Sequence, residues 1–316
     1  MLLVSIPDRL GPQQLDRLAS IVDPMRICVE ADPMKAGLPL DQVEIWITYG
    51  NDVTAAALER MPALRWIQVF QSGVEYVPFE ALRQKEIMLT NIRGIHGIPL
   101  SEYVLGMILY VVRHLPRYRS YQEKHLWHRQ EFVEEAFGKT VSIFGAGTVG
   151  ECIAERCKLL GMRVIGVNTS GAGKPAFDEM YTMREKHRVL AESDFVVLLL
   201  PATPETHHSF GKKEFDVMKG DAFLINLGRG SLVHTEALVE SLKHGSIRGA
   251  ALDVAEEEPL PAGHPLWDLQ NVIITPHIAA RTRQYFDRGL DKFRENMEAY
   301  KAGRTPPYLV DLRRGY

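Results

Sequence analysis

The sequence predicts an α/β protein built from two doubly wound parallel-sheet domains. Three observations predict it. Short β-rich runs alternate with amphipathic helical stretches along the chain, as in βα units. Two such series occur, one in the first hundred residues and one from about residue 140, and 316 residues leave room for about two domains. Several strands of the second series are continuous apolar runs, the pattern of strands covered on both faces.

The first series has strand-like runs at 2–6, 43–48, 66–70 and 87–91, with helical patterns at 13–22, 54–61 and 79–83. The second has strand-like runs at 140–144, 163–167, 195–200, 222–227, 250–254 and 272–275, separated by helices that include 149–160 and 235–243. Between the series, 101–115 places Val104, Met107, Ile108, Val111, Val112 and Leu115 at helical spacing. Leu105, Leu109 and Tyr110 make its other faces apolar too, so it is expected to be buried on several sides, as an interdomain helix that also touches a second subunit. Near the end, Phe286, Leu290, Phe293, Met297 and Tyr300 form one helical stripe, which Pro306-Pro307 terminates. There is no internal repeat or low-complexity segment.

Hydrophobic residues make up 46% and charged residues 24%, which excludes disordered and collagen-like chains. Lys and Arg number 37 against 40 Asp and Glu, for a net charge of −3, so no basic excess draws the chain to nucleic acid or anionic lipid. Three cysteines, Cys28, Cys152 and Cys157, do not make a disulfide framework and fit a reducing compartment. No run approaches the ~18 apolar residues of a membrane span, and the N-terminus lacks a basic region before its short apolar run. The expectation is a cytoplasmic protein with no membrane or nucleic-acid partner.

The sharpest local motif is Gly145-Ala146-Gly147-Thr148-Val149-Gly150. Gly145 permits the tight turn after a strand, Gly147 lets the backbone approach a pyrophosphate, and Gly150 lets helix and strand pack closely. The amides and positive dipole end of the next helix favour phosphate. An apolar strand precedes the motif, and a helix with Val149, Ile153, Cys157 and Leu160 on one face follows, which is the context a dinucleotide site requires. About 20 residues on, the ribose selector falls on Asn168. An acidic residue there would repel a 2′-phosphate. Asn168 does not, while Thr169 and Ser170 offer hydroxyls and Lys174 a positive charge. The reading is NADP(H), with NAD(H) the alternative if Asn168 only caps a turn.

Three further motifs follow in order: Leu224-Ile-Asn-Leu-Gly228-Arg229-Gly230, then Ala251-Leu-Asp253-Val-Ala-Glu-Glu-Glu258-Pro259, then Ile274-Thr-Pro276-His277-Ile-Ala. Each lies just beyond the carboxyl end of an expected strand, the rim where open α/β sheets bind ligands. Together with the glycine motif, with Gln71-Ser72-Gly73-Val74, Asn91-Ile-Arg-Gly94-Ile-His96 and Ser101-Glu102, and with Leu200-Pro201-Ala-Thr203-Pro-Glu205-Thr206, they make the chain resemble the D-isomer-specific 2-hydroxyacid dehydrogenases, from about Ala55 to the final helix. The glyoxylate/hydroxypyruvate reductase-like branch is the nearest in pattern.

The resemblance implies a Rossmann cofactor domain, residues 99–281, inserted in a flavodoxin-like substrate domain formed by 1–98 and the return segment 282–316. It implies a cleft between them that closes over substrate, and a homodimer. It implies NAD(P)H-dependent reduction of a small 2-oxoacid, glyoxylate or hydroxypyruvate being typical, to the D-2-hydroxyacid. The catalytic set falls on Arg229, Glu258 and His277. The chemistry agrees. A planar guanidinium between two glycines can hold a carboxylate and polarise the adjacent carbonyl. An imidazole with an ordinary pKa near ~6.5 can exchange a proton at neutral pH. A carboxylate hydrogen-bonded to the ring favours its protonated form, so reduction should weaken as pH rises. Among three adjacent glutamates, Glu258 is chosen by its family position before the proline, leaving Glu256 and Glu257 as solvated loop carboxylates. Cofactor contacts carry over to the glycine loop, Leu200, Pro201, Thr206, Leu227, Gly228 and, at the carboxamide end, Asp253. Substrate contacts carry over to Arg229, His277 and the amides of Ser72, Gly73 and Val74, a small anion nest.

Several residues depart from the pattern or admit two readings. His96 stands where the family has asparagine and is expected to alter the substrate surroundings. Tyr103 stands where it often has histidine and is expected to alter helix packing. Arg281 reads equally as a substrate-facing charge or a helix-start surface residue. Tyr49 and Tyr76 read as core aromatics before pocket lining. His125, His128, His207 and His208 lack ligand spacing, so no metal is expected. Cys152 and Cys157 read as packing residues. The alternative function is a dinucleotide-sensing, corepressor-like binding protein, which the intact Arg, Glu and His set argues against. Formate oxidation is disfavoured because that branch has glutamine at the position of Glu258. The length leaves no room for the regulatory domain that phosphoglycerate enzymes often carry.

Overall fold

The computed structural model describes residues 1–6, 10–35, 37–74 and 76–313. They fall into two compact units, Met1–Ile95 with Thr282–Tyr316, and His96–Arg281. In chain order the first unit contains β1 (Leu2–Val4), α1 (Pro12–Val22), β2 (Ile27–Val29), β3 (Ile45–Thr48), α2 (Ala55–Glu59), β4 (Trp66–Val69), α3 (Phe79–Gln84) and β5 (Met88–Thr90). The second contains α4 (Gly97–Val112), α5 (Leu115–Glu123), β6 (Thr140–Phe144), α6 (Thr148–Leu159), β7 (Arg163–Asn168), β8 (Glu179–Thr182), α7 (Lys186–Glu192), β9 (Phe195–Leu198), α8 (Lys212–Val217), β10 (Phe223–Asn226), α9 (Thr235–Lys243), β11 (Gly249–Leu252) and β12 (Val272–Ile274). The chain then returns to the first unit with α10 (Tyr285–Lys301).

The first unit is a parallel five-stranded sheet in the order β2-β1-β3-β4-β5. Leu290, Phe293 and Met297 of α10 are buried against Ile45, Trp66 and Phe70, the stripe the sequence marks. Gly289 allows this approach, because a Cβ there would lie 2.8 Å from the Phe70 ring. Burial of polar Gln68, Thr90 and Asn296 is offset by mutual pairing. Trp66 Nε1 donates to Thr90 Oγ1 at 2.7 Å, and Thr90 Oγ1 and Asn296 Nδ2 both donate to Gln68 Oε1, at 2.7 and 2.9 Å.

The second unit is a parallel seven-stranded sheet in the order β12-β11-β10-β9-β6-β7-β8. Successive strand residues alternate between two apolar layers. Val141, Ile143, Val197 and Ile225 meet α4 and α6 residues, whereas Phe144, Val196, Leu198 and Leu224 meet Leu238 and Leu242 of α9. The strand order reverses between β6 and β9, which makes the end of β6 a topological switch point, where such sheets bind ligands.

Two strands were not anticipated, β2 and β8. Both are sheet edges of intermediate or greater exposure, so neither carries the apolar run that marks a buried strand. Helix α4 begins at Gly97 rather than 101. Pro99 falls in its first turn, where a missing N–H has no intrahelical partner to lose. Within the single chain its buried residues fall on one side. Val104, Ile108, Val111 and Val112 pack in the core, while Leu109 is 41% exposed. No single described helix is long and apolar enough to cross a membrane; α4 and α5 pass such a test only as a pair bent by 61°.

Candidate active site

The three glycines after β6 are held for different reasons. Gly145 has φ +106°, and a Cβ on it would lie 2.9 Å from the Leu199 backbone. A Cβ on Gly150 would lie 2.7 Å from the Gly145 carbonyl oxygen, so this glycine sets the closeness of α6 to the turn. At Gly147 nothing lies within 4 Å of the Cβ position. The open space is at the residue that heads α6, where the first-turn amides lack intrahelical acceptors and the helix dipole is positive. A cradle closed on the protein side and open at the helix N-terminus fits a dinucleotide pyrophosphate. Leu200, Pro201 and Thr206 follow β9, and Thr206 Oγ1 donates to the Pro201 carbonyl at 2.7 Å, closing that loop on itself.

At the end of β7, Asn168 Oδ1 accepts from the Ser170 amide at 3.0 Å and the Gly171 amide at 2.6 Å. Asn168 therefore shapes its own turn and leaves Thr169 and Ser170 exposed beside it. Lys174 Nζ is paired with Glu151 of α6, on the helix that opens with the glycine loop.

Arg229 lies just past β10 and is half-buried. Asn226 fixes its turn, donating from Nδ2 to the Arg229 carbonyl at 3.1 Å and accepting the Gly228 amide at 3.2 Å. Arg229 Nη1 donates to the Gly228 carbonyl at 2.9 Å. Gly230 has no room for a side chain: a Cβ would lie 1.9 Å from Ala255 O. The Arg229 turn thus packs directly on the 253–258 loop that follows β11. In that loop Glu258 Oε1 accepts the Ala255 amide at 3.1 Å, and Glu258 Oε2 lies 2.8 Å from His277 Nδ1. An ionised carboxylate only accepts, so Nδ1 carries the hydrogen and Nε2 is the ring nitrogen left for proton exchange. The two side chains are 56% and 41% exposed, open to a small ligand. His277 follows β12 in the left-handed region, φ +53°, with its amide donating to the Asp253 carbonyl at 2.8 Å.

The sequence profile of the D-isomer-specific 2-hydroxyacid dehydrogenase NAD-binding domain matches residues 105–279, the stretch carrying the glycine loop, Arg229, Glu258 and His277. The chain belongs to this family. A glyoxylate reductase of Thermococcus gammatolerans is 34% identical over 269 residues, covering 82% of this chain and 80% of the relative. The crystal structure of a D-isomer-specific 2-hydroxyacid dehydrogenase family protein from Aeromonas salmonicida is 34% identical, with a TM-score of 0.88 over 98% of each chain. That of an NADPH-dependent glyoxylate/hydroxypyruvate reductase from Sinorhizobium meliloti, in complex with NADP and sulfate, is 26% identical, with a TM-score of 0.84 over 100% of this chain and 99% of that one. The protein is thus an NAD(P)-dependent oxidoreductase of the 2-hydroxyacid dehydrogenase kind, resembling glyoxylate reductases.

Other features of this dehydrogenase were less visible. Asp253, read as a cofactor contact, is 5% exposed and already accepts from Thr275 Oγ1 at 2.6 Å and the Ile278 and Ala279 amides at 2.9 and 3.0 Å. Asn226 has a structural role that motif order does not assign, and its position two residues before Gly228 is the Asx-turn signal. Burial, with the Arg229 charge added, pushes His96 down to about 4, so this imidazole is neutral at neutral pH. Glu256 is not a merely solvated carboxylate: it pairs with His208 Nε2 at 2.6 Å and accepts from Thr235 Oγ1 at 2.8 Å. His208 stacks on His207 with ring centroids 3.9 Å apart, and no group of three or more metal-ligating side chains occurs among the described residues.

Tyr76 is 75% exposed, contrary to the core reading, because it lies in the irregular stretch before α3; Tyr49 does pack against the first unit's core. Arg281 is exposed. Cys157 is fully buried, which pushes its thiol up to about 12, and the half-buried Cys152 packs against Gly97, its Sγ 2.6 Å from where a Gly97 Cβ would be. In the first unit, Ser72, Gly73 and Val74 follow β4 at the carboxyl edge of the sheet, with Asn91 Nδ2 donating to the Ser72 carbonyl at 2.9 Å.

Proposed function

We propose that the enzyme reduces a small 2-oxoacid of the glyoxylate or hydroxypyruvate type to the D-2-hydroxyacid with NADPH, using His277 as general acid. The observation that carries this reading is the 2.8 Å contact between His277 Nδ1 and Glu258, which orients the imidazole and reserves Nε2 for the substrate oxygen. A reduced nicotinamide supplies the hydride for C2. Arg229 anchors the substrate carboxylate with paired N–H donors, and the amides of Ser72, Gly73 and Val74 are assigned a further carboxylate contact. Burial and the nearby Arg229 charge keep His96 neutral, so it adds no second positive charge beside the guanidinium. His96–Arg281 is assigned as the cofactor domain and the remainder as the substrate domain.

NADPH is favoured over NADH because Asn168, unlike an acidic residue, does not repel a 2′-phosphate, and because Thr169 and Ser170 stand exposed beside it. The Sinorhizobium neighbour holds NADP. A homodimer is favoured by the segment after α5, where Trp127 is 93% and Phe132 97% exposed, large apolar surfaces that a second copy would cover. Sedimentation velocity that finds only monomer at micromolar concentration refutes the dimer.

The decisive experiment follows nicotinamide absorbance with a panel of 2-oxoacids and each reduced cofactor. Turnover of glyoxylate or hydroxypyruvate is expected. Tight dinucleotide binding with an inert panel would instead favour a sensing protein.

A further inference from the structure

We propose that Tyr103 is a positioning residue for the His277 turn, acting through Thr275 and the Asp253 carboxylate; the inference rests on His277 being the proton donor. Tyr103 projects from α4, and its phenol oxygen lies 2.9 Å from Thr275 Oγ1. Thr275 Oγ1 lies 2.6 Å from Asp253 Oδ1. A carboxylate can only accept, so the single hydroxyl hydrogen of Thr275 goes to Asp253, and Tyr103 must be the donor to Thr275. Burial, with the Asp253 charge nearby, raises the phenol above its ordinary range, which keeps that hydrogen in place. Asp253 also receives the Ile278 and Ala279 amides, and its own carbonyl receives the His277 amide. The left-handed backbone at His277 is thus bracketed by Thr275 before it and two anchored amides after it. Tyr103 supplies the outermost donor of a directed chain that ends on these anchors.

The test compares Tyr103→Phe and Tyr103→His with the unaltered full-length enzyme. In Tyr103→Phe, kcat is expected to fall about 3- to 10-fold, the scale of one lost hydrogen bond. The 2-oxoacid KM and the dinucleotide Kd should stay within about twofold. Amide exchange should quicken at Ile278 and Ala279 but not along α4. Tyr103→His restores an N–H donor and should recover most of kcat. Unchanged kcat and exchange in Tyr103→Phe overturn the proposal. So does a loss that Tyr103→His shares, with exchange quickened along α4, since that marks packing alone. Should Tyr103→Phe not fold, Thr275→Val against Thr275→Ser reads the same hydroxyl, and equal kcat in the two overturns it. If the unaltered enzyme reduces no 2-oxoacid, the catalytic reading fails on its own, and exchange at Ile278 and Ala279 still decides the hydrogen-bond chain.

Discussion

The carbonyl oxygen of Ala255 lies 1.9 Å from the point where a side chain at Gly230 would begin. Two loops from neighbouring strands, one carrying Arg229 and the other Glu258, therefore touch backbone to backbone. Glu258 in turn holds His277, so this contact sets the spacing of the guanidinium from the carboxylate–imidazole pair. Gly230→Ala cannot be absorbed by a rotamer change, because the atoms opposed are main chain. We expect it to destabilise the protein by at least about 2 kcal/mol, within the range for overpacking. The displaced Arg229 loop should also raise the KM for 2-oxoacid. Urea unfolding and steady-state kinetics check both, and a variant matching the parent in each would show that the loops are free to separate.

Removing the imidazole separates binding from chemistry. His277→Ala is expected to lower kcat by roughly 10²–10⁴ through loss of general acid catalysis, with dinucleotide affinity retained. Glu258→Gln keeps an oxygen for the Ala255 amide but replaces the charge facing Nδ1, so a smaller loss of about 10-fold or more in kcat is expected, with little change in stability. Stopped-flow measurement of hydride transfer distinguishes these from effects on product release. Normal transfer rates in His277→Ala would remove it from the reaction.

The sequence shows some of this more readily than the rest, for physical reasons. Buried central strands such as β6 and β10 announce themselves as apolar runs, and the glycine loop announces itself because turn, approach and packing each demand glycine at a set spacing. Edge strands β2 and β8 do not, since half-exposed strands need no apolar run. Motif order singles out Arg229, Glu258 and His277 as candidates, whereas it does not point to the Asn226 staple or the Tyr103–Thr275–Asp253 chain. The Asn226 staple is local and carries the Asx-turn signal two residues before Gly228, whereas Tyr103 and Thr275 are 172 positions apart and no local pattern encodes their contact. Tyr103, standing where the family often has histidine, reads from the sequence as a change in helix packing; only its hydroxyl's partner reveals more.

His96 predicts an acid-side stability loss. The unfolded chain takes up a proton on this imidazole near the ordinary value of about 6.5, the folded chain only at about 4. Between those values the unfolded state binds more protons, so stability rises with pH and is lost as pH falls through the window. The full difference corresponds to about 3 kcal/mol. His96→Asn should flatten the stability curve between pH 6.5 and 4. Glu134 and Glu214 titrate lower. Burial alone would raise both carboxyls. Lys139, Arg248 and His114 hold Glu134 at about 2, and Lys186 and His187 hold Glu214 at about 2, so their losses come below pH 4.5 and remain in the variant. Urea midpoints measured across pH 4 to 7 test this, and identical slopes for parent and variant would contradict it.

Cofactor choice can be tested at Asn168 without disturbing its turn. The side-chain oxygen of Asn168 accepts the Ser170 and Gly171 amides, and an aspartate carboxylate can accept the same two. Asn168→Asp thus keeps the geometry and adds a negative charge at the ribose end, repelling a 2′-phosphate while offering an acceptor to the ribose hydroxyls of NADH. The expected result is a fall of about 10-fold or more in kcat/KM for NADPH, an effect of about 1.4 kcal/mol, with NADH improved or unchanged. Lys174 is a poor substitute site for this test, because its charge is already engaged by Glu151 of α6 and its removal would alter that contact too. A parent enzyme that prefers NADH, or an Asn168→Asp variant whose cofactor ratio does not move, would show that this turn does not read the ribose.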